Sequence, residues 1–448
     1  MFSMFKKVFS ALTSVFVLLV STAYSHTPEP IEEADLHRPL VVPDRIVLTW
    51  TGDPATSQAV TWRTSVHEDS VSTAVAELTL ATPHGGYGAI QGMRDSAIVL
   101  PATSETLETD LGSASYHSVE FKGLLPETLY AYRVGDGANW SEWFQFRTAS
   151  RQRKPFKFIY FGDAQNELKS HWSRVVRQAY KHDSDARFIV HAGDLINKYN
   201  RDAEWGEWFY AAGWINGMLP SIVAAGNHEY GADELGMRNL SAHWQPQFAL
   251  PEHGPEGLEE SVYYIDYQGV RIVVLNSNEQ LEAQVAWLDG VLGDNPQNWT
   301  VLTFHHPVFS AADGRDNKEL RALWQPVIDR HEVDLVLQGH DHTYGRSRNV
   351  RNGLSVRDDR SGTVYVVSVS GPKMYESSVH PLMRRIAEDT QLYQVIEIAG
   401  NELVYRAYMA TGELYDAFNL TKQENGVNKL QEKMPRGARE RRRAPTEK

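Results

Sequence analysis

No cysteine occurs in the 448 residues of this chain. Disulfides and thiolate metal sites are therefore excluded. A bound metal would be held by His, Asp, Glu, Asn, Gln or Tyr, donors that suit Zn, Mn or Fe. Positive charge is also scarce, with 44 Lys and Arg against 57 Asp and Glu, a net charge of −13. Such a surface repels polyanions, so no nucleic-acid partner is expected, although a metal pocket can still hold one phosphate. Long apolar runs are absent after the first 25 residues. Those 25 read as a secretory signal peptide. Lys6 and Lys7 precede an apolar run from Val8 to Val20, and small residues around Ala23 and Ser25 offer a cleavage site. The run is shorter than the roughly 20 residues of a membrane span. Export to the periplasm or the exterior is expected, with no stable membrane span after cleavage.

What is present is a large apolar fraction, 42% of the residues, enough for two or three domains. Residues 26–40 read as an extended lead-in. Across 40–149 short alternating stretches such as Gln58–Arg63, Val75–Leu80 and Tyr116–Phe121 are separated by turn residues. This spacing predicts an antiparallel β-sandwich. The Leu124-x-Pro126-x-Thr128-x-Tyr130 pattern resembles that of a fibronectin type III-like module. Ser150–Pro155 reads as a linker. From 155 to 420 strand patterns alternate with amphipathic helical ones, near 202–218, 279–292 and 316–330 among others, which predicts an α/β domain with buried sheets. The polar, basic tail 422–448 reads as a solvated end.

Five short motifs follow predicted strands of the α/β part: Gly162-Asp163-Ala164-Gln165, Gly193-Asp194-Leu195, Gly226-Asn227-His228-Glu229, His305-His306-Pro307 and Gly339-His340-Asp341-His342. Each alone is weak, since a Gly-Asp pair is usually a turn. The ordered set is specific, because loops at the carboxyl ends of strands in an α/β sheet converge on one site.

The set resembles the motifs of the calcineurin-like metallophosphoesterases. Together with the sandwich-like segment and His340–Arg346, it is similar to purple acid phosphatases and their bacterial relatives over roughly residues 40–420. The resemblance implies two packed sheets flanked by helices and a pair of metal ions. Asp194 would bridge the metals; Asp163 and His342 would belong to the first site, and Asn227, His305 and His340 to the second. The implied activity is hydrolysis of a small phosphorylated substrate, a phosphate monoester, by metal-activated water. His228 would face the phosphate or the leaving oxygen as a general acid, since histidine side chains titrate near neutrality. His306 and Arg346 are further candidates for phosphate binding, the latter bidentately. Asn200, Tyr230 and Tyr344 are candidates for supporting hydrogen bonds, and Trp205, Trp208, Phe209 and Trp214 for helix packing.

Two positions depart from the pattern. Asn197 stands where purple acid phosphatases carry a metal-bound Tyr, and Gln165 where other metallophosphoesterases carry a His. Gln165 is then the candidate fourth donor of the first site, as a neutral amide oxygen. A ferric-tyrosinate centre is not expected, and a divalent pair is. Two other readings use the same residues: a phosphodiesterase or nucleotidase, and a degenerate phosphoesterase acting as a binding or adhesion module.

Overall fold

A computed structural model describes residues 30–66, 73–82, 86–233 and 235–442. The expected signal peptide lies outside them. Within the lead-in, Glu33–Leu36 forms one helical turn.

The first unit forms because its strands alternate in burial. Two antiparallel four-stranded sheets result. In order, one contains Asp44–Thr49, Ser57–Ser65, Gly112–Lys122 and Thr103–Thr109, and the other Ile98–Pro101, Val75–Leu80, Leu129–Gly135 and Phe144–Arg147. Leu48, Val60, Trp62 and Phe121 of the first sheet share one core with Leu78, Tyr132 and Phe146 of the second. This is the β-sandwich expected from the alternation. A buried charge cluster joins it to the rest of the chain: Arg45 and Arg63 both pair with Asp202, at 2.6 and 3.2 Å.

The α/β part contains two seven-stranded sheets. The first runs Ser221–Val223, Ile189–His191, Phe156–Phe161, Leu392–Ala399, Glu402–Met409, Leu414–Lys422, Asn428–Glu432. The second runs Tyr263–Tyr267, Val270–Val274, Trp299–Thr303, Leu335–Gln338, Val364–Val367, Tyr344–Ser347, Met383–Ala387. Within each sheet the strands that precede the motifs run parallel to one another. The period-two geometry of a strand explains how two cores arise from one apolar run. Ile272 and Val274 point into the core between the sheets. Val273 points to the other face, where the helices Leu281–Gly293 and Lys318–Arg330 cover it with Leu288, Trp324 and Val327. On the first sheet the helices Ser173–His182 and Asp202–Ala212 do the same, with Trp172, Trp205 and Trp208 fully buried. Trp214, expected in that packing, is half exposed at 52%.

Two expectations are corrected here. The segment after residue 422 is not wholly a solvated end. Asn428–Glu432 closes the first sheet as its edge strand, with Leu430 buried. An edge strand is held by backbone hydrogen bonds and needs few apolar residues, which is why the polar composition hid it. The strand is also tied by Asp334, which accepts from Lys422 Nζ at 2.7 Å and from the Asn428 side chain. Further on, Arg441 bridges to Ala387.

The second correction concerns Arg346, which does not bind phosphate. Its guanidinium is fully buried and pairs with Asp416 at 2.7 Å and with Glu432 at 2.8 Å. Tyr344 donates to the same Asp416 carboxylate. The fork geometry that suits phosphate serves here to fasten the edge strand. Arg346→Ala strands a buried carboxylate and is expected to destabilise the fold by about 3–5 kcal/mol. Urea unfolding at fixed metal content measures this, with KM for substrate in the surviving folded protein unchanged.

Candidate metal centre

The five motif loops leave the carboxyl ends of Phe156–Phe161, Ile189–His191, Ser221–Val223, Trp299–Thr303 and Leu335–Gln338 and meet at one point. Two ligand groups form there. Asp163, Asp194 and His342 have donor atoms within 4.8 Å of one another, and so do Asp194, His305 and His340. Asp194 belongs to both. Asn227 completes the second group, with Oδ1 3.1 Å from His305 Nε2.

Loop backbones are bent hard to achieve this. Asp194, His340 and His342 adopt φ of +52°, +75° and +43°. Each costs about 1–3 kcal/mol in a residue other than glycine, strain of the kind found at functional sites. Space is equally tight. A Cβ on Gly226 would lie 2.2 Å from Asp194 Oδ1, and one on Gly339 2.2 Å from Asp163 Oδ1. These two glycines are required because the carboxylates occupy the room a side chain would take.

The ring nitrogens are fixed by carbonyl acceptors behind them. His305 Nδ1 lies 2.9 Å from the Ala192 carbonyl and His342 Nδ1 3.0 Å from that of Lys373. A proton on each Nδ1 leaves Nε2 free to face the centre. His340 is turned the other way, with Nδ1 3.1 Å from His305 Nε2.

Electrostatics show what the cavity wants. Asp163 and Asp194 are buried, and Asp163 Oδ2 has no hydrogen-bond partner. Burial pushes Asp163 up to about 7, against the pull of His305. Burial also acts on Asp194, but His305 and His228 hold it down at about 2. For His305 burial is outweighed by Asp194 and Asp163, which raise it to about 9. Without a metal, a proton on His305 is thus the counter-ion of the carboxylates. His340 and His342 are pushed down by burial, so they stay neutral and able to ligate. A set of two buried carboxylates, three imidazoles and one amide oxygen, with His340 and Asn227 on its partly exposed side and one carboxylate oxygen orphaned, fits divalent cations.

Other expected residues fall around this centre. His228 donates its backbone N–H to Asp194 Oδ1 at 2.8 Å. Its Nδ1 lies 2.6 Å from the Asn197 carbonyl, and its Nε2 lies 4.0 Å from Asp194 Oδ2. Asn197 therefore acts through its backbone, as the support of His228. Tyr199 is no substitute for a ligand, since its hydroxyl donates to the Ala232 carbonyl at 3.0 Å. His306 packs on His340 with ring centroids 4.2 Å apart, and its Nδ1 lies 2.8 Å from Ser277 Oγ. Tyr230 bonds to Asn276 and Glu279 away from the ligand atoms.

Gln165 is at the first site, but its amide nitrogen faces inward, 2.9 Å from Asp194 Oδ2 and 3.0 Å from His342 Nε2. Its oxygen accepts from Asn166 at 3.2 Å. A half turn of the amide would present the oxygen instead. Gln165→His offers a nitrogen donor at the same place. It is expected to tighten first-site metal binding, measured as a higher chelator concentration needed to strip the protein.

One residue had no assigned role in the sequence although it lies inside a motif. Glu229 is fully buried and accepts four backbone N–H groups: Asp194 at 2.9 Å and Gly226 at 2.7 Å on Oε2, Leu195 at 2.7 Å and Ile196 at 3.3 Å on Oε1. It locks the loop of Asp194 to the loop of Asn227. Asp341, between the two histidines of its motif, accepts instead from Ser310 and faces Arg315 Nε at 3.0 Å.

Comparison with known proteins finds matches over both units of the chain. Residues 43–148 match the family model of the purple acid phosphatase N-terminal domain, and residues 156–344 that of the calcineurin-like phosphoesterases. An uncharacterized protein of Mycobacterium tuberculosis is 26% identical over 341 residues, 67% of this chain and 61% of that one. Purple acid phosphatase 21 of Arabidopsis thaliana is 27% identical over 273 residues, 58% of this chain and 59% of that one. The chain thus spans about three-fifths of these curated relatives. Among solved structures, the purple acid phosphatase PPD1 from yellow lupin (Lupinus luteus) seeds superposes with a TM-score of 0.70 at 18% identity, covering 86% of this chain and 75% of that one. PhoD superposes with a TM-score of 0.63 at 14% identity, covering 93% and 95%. With both family models matched in order, one over each unit, the chain is a purple acid phosphatase-like protein that carries a calcineurin-like phosphoesterase domain.

Proposed function

We propose that this protein hydrolyses phosphate monoesters at a dinuclear metal centre. The observation that carries the reading is the sharing of buried Asp194 by two ligand groups. Asp163 and His342 would hold the first cation, and Asn227, His305 and His340 the second, with Gln165 beside the first. A bound pair of divalent cations, Zn, Mn or Fe, would supply an acidified water and offset charge on the phosphoryl oxygens.

The remaining work falls to the chain. Asn227 donates an oxygen without adding charge, so a dianionic phosphate is not repelled. The tight shell around Asp163 and Asp194 excludes bulk water, which strengthens every charge interaction inside it. His228 stands at the open side with Nδ1 donating to the Asn197 carbonyl, so Nε2 carries a proton for the leaving oxygen only when the ring is the imidazolium, which is the form that acts as general acid. In the balanced reaction the phosphorus–oxygen bond to the leaving group breaks and one to the water oxygen forms. The leaving oxygen takes up the His228 proton, and the attacking water releases one to solvent, from which His228 is reprotonated.

The expected export of the chain places this activity in the periplasm or outside the cell. No helix among the described residues is long and apolar enough to cross a membrane.

An aryl phosphate monoester, a bis-aryl phosphodiester and nucleotides, assayed on the metal-loaded protein, test the substrate class. Monoester turnover above diester turnover is expected. Diester preference would overturn the monoester assignment, and no turnover with any metal would favour a binding module. A further expectation concerns colour. With Asn197 at the tyrosinate position and the Tyr199 hydroxyl engaged elsewhere, the metal-loaded protein should show no intense visible charge-transfer band. A visible spectrum of the purified protein measures this.

A further inference from the structure

The ligand groups all come from the α/β part, yet the sandwich reaches the loop behind His228. It does so through the helix Asp202–Ala212. The N-cap position of that helix is Arg201, whose side chain makes no capping bond among the described residues and pairs with Glu33 of the lead-in instead. The sandwich supplies the cap. Asp110, on the turn between Thr103–Thr109 and Gly112–Lys122, accepts the Asp202 backbone N–H at 2.8 Å. Arg45 donates through Nη2 to the Asp202 carbonyl at 3.1 Å, besides its pairing with the carboxylate. The first amides of a helix have no acceptor within it, so contacts of this kind fix where the helix starts.

Glu204 is the third helical residue. A glutamate there ordinarily bends back to the amide of the N-cap residue. Here it reaches further. Its Oε2 accepts the Asn197 N–H at 2.6 Å and the Lys198 N–H at 2.9 Å. Trp205 Nε1 adds a bond to the Tyr199 carbonyl at 3.2 Å. Residues 197–199 are thus moored on the first turn of the helix. The Lys198 N–H and the Asn197 carbonyl belong to one planar trans peptide, so they point in opposite directions. Holding the N–H on Glu204 therefore aims the carbonyl at His228 Nδ1, 2.6 Å away. A carboxylate on the N–H also polarises the peptide, which strengthens its carbonyl as an acceptor for the imidazolium.

We propose that Glu204 is a positioning residue for the general acid, and that the sandwich sets it in place by capping its helix through Asp110. Glu204 touches no substrate. It fixes the Asn197–Lys198 peptide, the peptide fixes the His228 ring, and the ring then presents its Nε2 proton to the leaving oxygen. This rests on the hydrolytic reading above and gives the sandwich a part in it.

The test compares two monoesters on metal-loaded proteins matched for metal content. Benzyl phosphate releases an alcohol and needs a proton on its leaving oxygen. p-Nitrophenyl phosphate releases a stabilised phenolate and does not. Glu204→Ala is expected to lower kcat/KM by about tenfold or more for benzyl phosphate and by less than about threefold for p-nitrophenyl phosphate, as loss of part of a general acid's contribution requires. Glu204→Gln, which keeps an acceptor oxygen, should recover part of the loss. Asp110→Ala should move the ratio of the two esters in the same direction by a smaller factor. In a His228→Ala background Glu204→Ala should leave that ratio where it is. Equal falls for both esters, a ratio unmoved by Asp110→Ala, or a full Glu204 effect without His228 would show a general structural role and overturn the proposal. Crystal structures separate this from failure of the hydrolytic reading. If wild type turns over neither ester, a His228 ring released from the Asn197 carbonyl in Glu204→Ala still supports the positioning, and an unmoved ring overturns it.

Discussion

Asp194→Ala is expected to lower kcat by at least about 1,000-fold while the protein stays folded. Asp194 is the one side chain shared by both ligand groups, so its loss weakens both at once. It also accepts the His228 backbone N–H at 2.8 Å, and the variant therefore lets the general acid drift. The fold survives for an electrostatic reason. Asp163, Asp194 and Glu229 are buried together, and removing one carboxylate relieves repulsion among the others in the metal-free protein. Steady-state kinetics and metal analysis on one preparation measure the effect, and far-UV circular dichroism confirms folding. The drop in rate should accompany a loss of bound metal. A variant with wild-type kcat would remove Asp194 from the reaction altogether.

The second large effect is expected at Glu229, which touches no substrate. Its two carboxylate oxygens accept four amide N–H groups from the loops of Asp194 and Asn227. Glu229→Gln keeps the shape but turns one acceptor into a donor. Whichever way the amide lies, two buried N–H groups then face an NH₂. At about 1–3 kcal/mol for each unsatisfied donor, roughly 2–6 kcal/mol of stability is at stake. The loops relax, and metal affinity falls with them. Chemical denaturation of the metal-free protein reads the structural part, and metal titration the functional part. Loss of activity with both stability and metal affinity intact would mean that Glu229 takes part in chemistry, contrary to a positioning role.

The contrast between Glu229 and Arg346 shows what the sequence could and could not disclose. The residues that converge at the proposed metal centre are legible because each sits in a short motif after an apolar strand, and strand ends in such a sheet have one place to converge. The sandwich was legible from period-two alternation. Arg346 was misread because a bidentate guanidinium near a motif suits phosphate and carboxylate equally well. Its partners, Asp416 and Glu432, lie 70 and 86 residues away. Nothing local announces such a pairing. The closing strand Asn428–Glu432 was hidden for a related reason: an edge strand satisfies its backbone on a neighbour and can be polar in sequence. Glu229 was visible as a letter but not as a lock, since four amide donors from two loops exist only after folding. Gln165 is an intermediate case: its place at the first site was legible, and its amide orientation was not.

Titration of Zn or Mn into metal-free protein, followed by aryl phosphate turnover and by bound-metal content, decides whether phosphoester hydrolysis here requires two cations that share Asp194. No turnover is expected without metal, and activity should saturate as two equivalents bind per chain. Full turnover in the metal-free protein, or saturation at a single equivalent, would contradict that requirement.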